Sequence, residues 1–271
     1  MPEEKKRKIV DAETGKEVKA GSKKTSATAA APTGSAAGLR AGAIILWVLA
    51  IAFEVLALLV AVGKIDALAQ TSTMQIVMMI VFLVLDLVAL IIGSQLWKKA
   101  NHIRPASEKN KFGFWLWNNL GLIVAAFAFV PFIVIVLLNK DADKKTKTIA
   151  TVAAVIALLI GGAASYDYNP ISLEQQQAAI AAINQDVYWA KSGKVYHTHD
   201  DCQAITNSAE LTYGTVEQAI AAGRTRLCAF CAKRDDIDTT NLLTEDKKVT
   251  DEDLADYGDA DTEADTAAAE N

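Results

Sequence analysis

Four long apolar stretches lie between a polar start and a polar end of this chain, and they constrain the fold more than any other feature. The stretches cover residues 41–63, 74–93, 119–138 and 148–164. A helix needs about 20 apolar residues to cross hydrocarbon about 30 Å thick, so each stretch is close to the length of a membrane span. The sequence therefore predicts a mainly α-helical membrane protein with about four transmembrane helices within residues 41–165.

The polar regions divide the rest of the chain. Residues 1–40 contain nine Lys and Arg against five Asp and Glu, whereas residues 235–271 contain fourteen acidic residues against two Lys. Both regions have few large apolar residues, so we predict a disordered basic tail at the start and a disordered acidic tail at the end. A short hairpin around Gly15 is expected within the first tail. A connecting helix over residues 166–186 and a small α+β domain over residues 187–234 complete the predicted order.

Basic residues in the short loops predict which way the helices cross the membrane. Five Lys and Arg lie between the second and third spans, whereas the loop between the first and second has only Lys64. The third loop, with four Lys and two Asp, favours the opposite orientation. Since basic loops stay on the cytoplasmic side, the balance places both termini in the cytoplasm. Trp97, Trp115 and Trp117 lie beside the spans, as residues of an interfacial aromatic belt do.

Turn and cap signals outline the region after the spans. Two capping-box patterns predict helix starts, Ser172 with Gln175 and Thr215 with Gln218. Gly223 suits the C′ position at the end of the second of these helices. A turn over residues 191–194 predicts a hairpin in which Trp189 lies on one strand and residues 195–196 lie on the other.

The three cysteines of the chain, Cys202, Cys228 and Cys231, lie in one short stretch beside His197 and His199. An odd number of cysteines does not complete a set of disulfides. A Cys-x-x-Cys turn can place both sulfurs on one ion, and a third Cys with a His completes the four ligands of a structural zinc site. A domain with a small core also gains stability from such an ion. The pattern predicts one structural Zn²⁺, held by the three cysteines and by one of the two histidines.

Two other interpretations of the cysteines stay open. Cys228 and Cys231 could form a thiol–disulfide pair of the thioredoxin-like kind, although the surrounding residues show no βαβ pattern. All three cysteines could instead be small buried hydrophobic residues, since free Cys is often fully buried. That interpretation leaves the grouping of cysteines with histidines unexplained.

A series of short motifs between Val187 and Cys231 supports a family resemblance. The motifs are Val-Tyr-Trp at 187–189, Ser-Gly-Lys-Val-Tyr-His at 192–197, Cys202, Gly-Thr-Val-Glu-Gln-Ala at 214–219 and Leu-Cys-Ala-Phe-Cys at 227–231. This stretch, about a sixth of the chain, resembles the Ada-type metal-binding domain, a small module found on many bacterial proteins. The resemblance implies that zinc is held by His197, Cys202, Cys228 and Cys231. The Ada repair protein itself uses four cysteines, so its methyl-acceptor chemistry is not carried over.

Two carboxylates lie inside the apolar stretches, Glu54 near the middle of the first and Asp86 near the middle of the second. An Asp at the bilayer centre costs about 2.5–3.5 kcal/mol on insertion scales, which makes it a functional candidate. An antiparallel pairing of the first two spans would bring both groups to a similar depth. They could share a proton, bind a cation or form a relay. Alternatively, both are protonated and hydrogen-bonded within the bundle.

These features predict a protein of the lipid bilayer that binds zinc, with a cytoplasmic domain that acts as an interaction or sensing module for an unidentified protein partner. The alternative is a small transporter or channel subunit that uses Glu54 and Asp86. Alkyl transfer onto a zinc thiolate would make the protein an enzyme, but the sequence has no complete catalytic constellation, so no enzyme is predicted. The nearly neutral domain and the acidic tail lack the basic surface that nucleic-acid binding requires.

Overall fold

A computed structural model describes residues 8–18, 35–68, 70–140, 142–246 and 249–250. These residues belong to two compact units. The first, which we call the helical unit, comprises residues 35–170. The second, which we call the cysteine unit, comprises residues 8–18 together with the described residues from Ile171 onward. Described segments from before and after the long apolar stretches therefore meet in one unit, while those stretches form the other.

Five helices build the helical unit. They are α1 Ala36–Ala61, α2 Ser72–Ile103, α3 Lys111–Asn118, α4 Leu120–Leu138 and α5 Lys144–Ser165. Among the described residues, α1, α2, α4 and α5 are long and apolar enough to cross a membrane, which confirms the prediction of four such helices. The side chains of Ser35, Thr71 and Asp143 begin three of these helices by accepting hydrogen bonds from backbone N–H groups of the first turn. Such caps satisfy donors that the helix itself leaves without partners.

Several helix ends differ from the predicted spans, because helices continue beyond their apolar parts. The second helix continues past Gly93 to Ile103, so Trp97 lies on α2 rather than in a loop. Trp97 is 5% exposed and its indole Nε1 donates to the carbonyl of Trp117, so it packs inside the unit and is not an interfacial anchor. The short helix α3, which carries Trp115 and Trp117, was not predicted from the sequence.

The helices α1 and α2 pack as an antiparallel pair along a heptad seam. Their buried seam residues are Ala43, Trp47, Ala50, Glu54, Ala57 and Ala61 on α1, and Met79, Leu83, Asp86, Leu90, Gly93, Trp97 and Ala100 on α2. The alternating three- and four-residue steps keep each set on one face of its helix. At one end of the seam a Cβ on Gly93 would meet the Trp47 ring at 2.9 Å. At the other end the Gln75 amide donates to the carbonyls of Val60 and Ala61, which fixes the antiparallel direction.

The helical unit carries large apolar side chains on its outer surface, and alanines line part of its interior. Ile45 on α1, Phe127 on α4 and Leu159 on α5 are each more than 60% exposed. The interior faces of α1 and α5 instead carry alanines such as Ala50 and Ala154, which are fully buried. Exposed apolar surface of this extent is unfavourable in water and is typical of a surface that meets another apolar phase.

The cysteine unit contains six short strands and three short helices. They are β1 Lys8–Asp11, β2 Glu17–Val18, α6 Leu173–Ala182, β3 Val187–Ala190, β4 Val195–Tyr196, β5 Glu210–Gly214, α7 Val216–Ala221, β6 Arg226–Leu227 and α8 Ala229–Arg234. Both predicted capping boxes are present, at the starts of α6 and α7. Gly223 follows the C-cap of α7 with a φ of +83°, as predicted for the C′ position.

Strands from distant parts of the chain form the main sheet of this unit, in the order β2-β1-β5-β3. The strand β1 pairs in parallel with β5, and Ile9 lies opposite Leu211. On the other side of β5, β3 pairs antiparallel. A separate two-stranded sheet joins β4 and β6 in parallel. The predicted hairpin of β3 and β4 is therefore reduced to one bridge between Tyr188 and His197, because each strand has its main partner elsewhere.

Two predictions of disorder are wrong where residues are described. In the basic tail predicted over 1–40, residues 8–18 form the expected hairpin around Gly15, and Ile9 is 3% exposed in the core of the cysteine unit. The first helix also begins before residue 41. In the acidic tail predicted over 235–271, Leu243 packs against the same core and Thr244 bridges to Leu227. Residues 1–7, 19–34, 247–248 and 251–271 of the two predicted tails lie outside the described residues.

Candidate metal centre

Four side chains of the cysteine unit converge on one point. Possible ligand atoms of His197, Cys202, Cys228 and Cys231 all lie within 4.8 Å of one another. The sulfurs of Cys202 and Cys228 are 3.8 Å apart, and the Cys231 sulfur is 3.9 Å from His197 Nδ1. Zn–S bonds of about 2.3 Å in a tetrahedron separate two sulfurs by about 3.8 Å, so this spacing fits one central ion. Each of the four residues is at most 3% exposed.

The pairing of β4 with β6 positions two of these residues side by side. The last residues of the two strands, Tyr196 and Leu227, lie opposite each other in the parallel register. His197 and Cys228 directly follow them, and the Cys228 N–H donates to the Tyr196 carbonyl at 3.0 Å. Parallel strands that end together deliver their next residues to the same edge of the sheet. The register therefore brings an imidazole and a thiol together from positions far apart in sequence.

The other two cysteines come from short turns that close over this edge. Cys228 caps α8, and Cys231 lies within it, so the Cys-x-x-Cys segment bends at the helix start. Cys202 precedes a 3₁₀ turn at Gln203–Ile205, and its carbonyl accepts from the Ile205 N–H at 2.9 Å. The two turns hold three sulfurs around the imidazole without requiring long structural elements.

The three thiols hold their protons unequally. Contacts with Cys202 and Cys228 lower the pKa of the Cys231 thiol, and His197 lowers it further. Contacts with Cys202 and Cys231, together with burial, raise the pKa of Cys228. For Cys202 the contact with Cys228 lowers the pKa, but the contact with Cys231 and burial outweigh it and raise the value to about 11. These shifts favour negative charge on the Cys231 sulfur, and a divalent cation could replace the protons of the other two thiols.

His199, the alternative histidine ligand, lies outside this group. Its Nε2 is 2.5 Å from Asp235 Oδ1, and the hydroxyl of Thr198 donates to Asp235 Oδ2 at 2.5 Å. One carboxylate therefore binds the two residues that follow His197. Sequence reasoning missed Asp235, because it stands at the start of a segment whose composition predicted disorder.

The arrangement is suited to hold a metal ion through three soft sulfurs and one imidazole. No second group of three or more such residues meets the same distances among the described residues. Sulfur and nitrogen ligands in a tetrahedron are typical of Zn²⁺, and four protein ligands leave no open position for a substrate. The cysteines are free thiols rather than disulfides. The geometry fits a structural ion better than a catalytic one.

The predicted intramembrane acids are brought together in the helical unit. Glu54 and Asp86 are buried, at 6% and 0% exposure, and occupy the α1 and α2 sides of the heptad seam. Their carboxyl groups lie close enough to interact with each other. None of the four carboxyl oxygens has a hydrogen-bond partner among the described residues.

Comparisons of the chain with protein-family models, with curated proteins and with solved structures gave no match. The Ada-type resemblance of residues 187–231 accordingly stays a prediction. Conclusions about the site rest on the positions and chemistry of its own residues.

Proposed function

We propose that this protein is an integral membrane protein whose cysteine unit holds one structural Zn²⁺ and serves as an interaction module for a protein partner. The observation that carries the proposal is the convergence of His197, Cys202, Cys228 and Cys231 within 4.8 Å. A closed set of four ligands stabilises a small fold, and zinc contributes on the order of 10 kcal/mol in such sites. What the unit offers a partner is therefore its folded surface rather than the ion.

The outer surface of the helical unit supports the membrane part of the proposal. Four helices have membrane-crossing length and carry their large apolar side chains outward. The strand β1 precedes these helices and β5 follows them, yet the two strands pair. Two paired strands must lie on the same side of a bilayer, which requires an even number of crossings. Four crossings meet this condition, and the basic loops favour the cytoplasm as the side that holds both ends.

The order of the four ligands is also the order implied by the Ada-type resemblance, which supports an Ada-like fold for residues 187–231. The structural surroundings extend beyond that stretch, because β1 joins the main sheet and Leu243 joins the core. We therefore propose an Ada-like centre enlarged by segments from both ends of the chain. A sensing role is less well supported than an interaction role, because all four ligands are buried.

Metal analysis of the full-length protein tests this proposal. The protein, purified in detergent without added chelator, should contain one zinc per chain. His197→Ala and Cys228→Ser should each lose the ion, whereas the matched control His199→Ala should keep it, because His199 binds Asp235 instead. Chelation of the wild-type protein should open the segment after residue 186 to proteolysis and leave the apolar helices protected.

Zinc absent from the wild-type protein would overturn the proposal. Equal zinc content in His197→Ala and the wild type would exclude this ligand set. An unchanged proteolysis pattern after complete removal of the ion would show that the metal does not hold the fold.

A further inference from the structure

The pair of acids on the seam between α1 and α2 is a second candidate site. Glu54 lies seven residues after Trp47, and Asp86 lies seven residues before Gly93. Because Trp47 contacts Gly93 across the antiparallel pair, two helical turns along each helix bring Glu54 opposite Asp86. Both side chains are more than nine-tenths buried, so the fold holds two carboxyl groups face to face away from solvent.

The described surroundings supply neither a hydrogen-bond donor nor a countercharge to this pair. All four carboxyl oxygens are buried without a hydrogen-bond partner among the described residues. Apart from Glu54 and Asp86, the helices packed around the pair carry charged residues only near their ends. On α4 there is no ionisable residue, and on α5 the charges are the lysines of its first turn, 144, 145 and 147.

The remaining basic groups of α1 and α2 are bound near the far end of the seam. Arg40 donates to the carbonyl of Arg104 and to Asn101. Lys98 donates to the carbonyl of Ala164 at 2.7 Å. Lys99 and His102 lie with Lys98 on the last turns of α2, about three or more turns away from Asp86. None of these cations is therefore placed to neutralise the acids.

We propose that Glu54 and Asp86 form a reversible proton-binding site in which one carboxylic acid donates its O–H to the carboxylate of the other. With one proton the pair carries a single negative charge, and a second proton makes it neutral. Two ionised carboxylates in contact, out of water, would repel each other and lose their solvation. A shared proton gives two of the pair's unpartnered oxygens a hydrogen bond, through the one donor that the pair can create itself.

The number of oxygens favours a proton over a metal cation. Ca²⁺ takes six to eight oxygen ligands, and Mg²⁺ requires an octahedral set. The pair offers four carboxyl oxygens between two helices whose carbonyls are bound in their own backbone hydrogen bonds. A proton requires only two oxygens, so it matches what the seam provides.

Infrared spectroscopy of the full-length protein in detergent tests the proposal without relying on access to the site. At neutral pH, exposed carboxylates are ionised, so a carbonyl band of a protonated carboxyl reports a buried acid. We expect this band in the wild type and in the exposed control Glu13→Gln. It should weaken as the pH is raised and be absent from the double variant Glu54→Gln/Asp86→Asn.

Three results would overturn the proposal. One is the absence of the band from the wild-type spectrum at neutral pH. That outcome can be judged from the wild-type protein alone. Another is a band of full strength in the folded double variant. The third is loss of the band when sodium replaces potassium, which would assign the pair to a metal cation.

The site concerns the helical unit and does not depend on zinc in the cysteine unit. A reversibly loaded proton is also what the alternative function, a small transporter or channel subunit, would require of these residues. The spectrum tests proton binding alone. The proton-binding proposal and the zinc proposal can therefore be confirmed or overturned separately.

Discussion

At the scale of single residues, Asp235 explains how the polypeptide holds His197 in place. The carboxylate accepts from Thr198 and binds His199, the two residues that follow the imidazole. Its own N–H donates to the carbonyl of Cys231, at the other side of the site. One residue therefore links the histidine segment to the Cys-x-x-Cys helix, and it is not itself one of the four grouped residues.

Replacing Asp235 with Ala should destabilise the cysteine unit by about 1–3 kcal/mol, because two hydrogen bonds to a charged group are lost. The zinc content should stay at the wild-type level, since the four ligands are untouched. Hydrogen exchange of residues 187–234 in the full-length protein measures the loss, with the exposed acid Glu210→Ala as control. Zinc lost together with Asp235 would show that the carboxylate belongs to the site itself.

The ligand residues could be predicted from sequence, but the choice between the histidines needed the fold. Cysteine spacing indicates a metal site because few other arrangements require three thiols so close together. If the segment around them were simply extended, either His197 or His199 could reach such a site. Only the register of Tyr196 against Leu227 decides between them, and that register depends on contacts distant in sequence.

At the scale of elements, the seam between α1 and α2 depends on a close approach at Gly93. A Cβ there would meet the Trp47 ring at 2.9 Å and the Ala43 carbonyl at 3.1 Å. The apolar length of the helices was predictable, because it follows from composition. The seam was not predicted, because the apolar length of a span does not show which of its faces packs against a neighbouring helix.

Gly93→Ala should therefore destabilise the helical unit by about 1–2 kcal/mol, since overpacking outweighs the gain in helix propensity. The midpoint of thermal unfolding in detergent measures the effect. Gly38→Ala is the matched control, because its Cβ would meet only Ser35 at an ordinary 3.8 Å. A Gly93→Ala protein as stable as the wild type would contradict the close approach.

The strand β1 is the element that sequence reasoning placed least well. Its hairpin was expected, but its partner β5 lies about 200 residues away, and no local signal reports such a pairing. Ile9, which is 3% exposed, is the side chain by which β1 joins the core of the cysteine unit.

Ile9→Ala should cost the cysteine unit about 2–5 kcal/mol, the usual range for removing a buried isoleucine side chain. Lys8→Ala, one residue earlier and exposed, should change little. Hydrogen exchange of residues 210–214 reports the effect, because β5 loses its neighbour when β1 detaches. Unchanged exchange in Ile9→Ala would contradict the insertion of β1 into the sheet.

At the scale of the whole molecule, the proposed membrane crossing and the pairing of β1 with β5 together predict that the segments before and after the four helices lie on one face of the bilayer. Peptide tags placed at the two termini should be accessible from the same face of sealed vesicles, and that face should be the cytoplasmic one. Protease digestion of intact and of permeabilised vesicles measures this. Tags on opposite faces would require an odd number of crossings and would contradict both the paired strands and the four spans.

X-ray absorption at the zinc edge of the full-length protein can identify the ligands of the proposed ion, three sulfurs and one imidazole. We expect a first shell of three sulfurs at about 2.3 Å and one nitrogen at about 2.0–2.1 Å. His199→Ala should give the same shell, and His197→Ala should lose it. A shell dominated by oxygen or nitrogen, or one with fewer than three sulfurs, would exclude this ligand set.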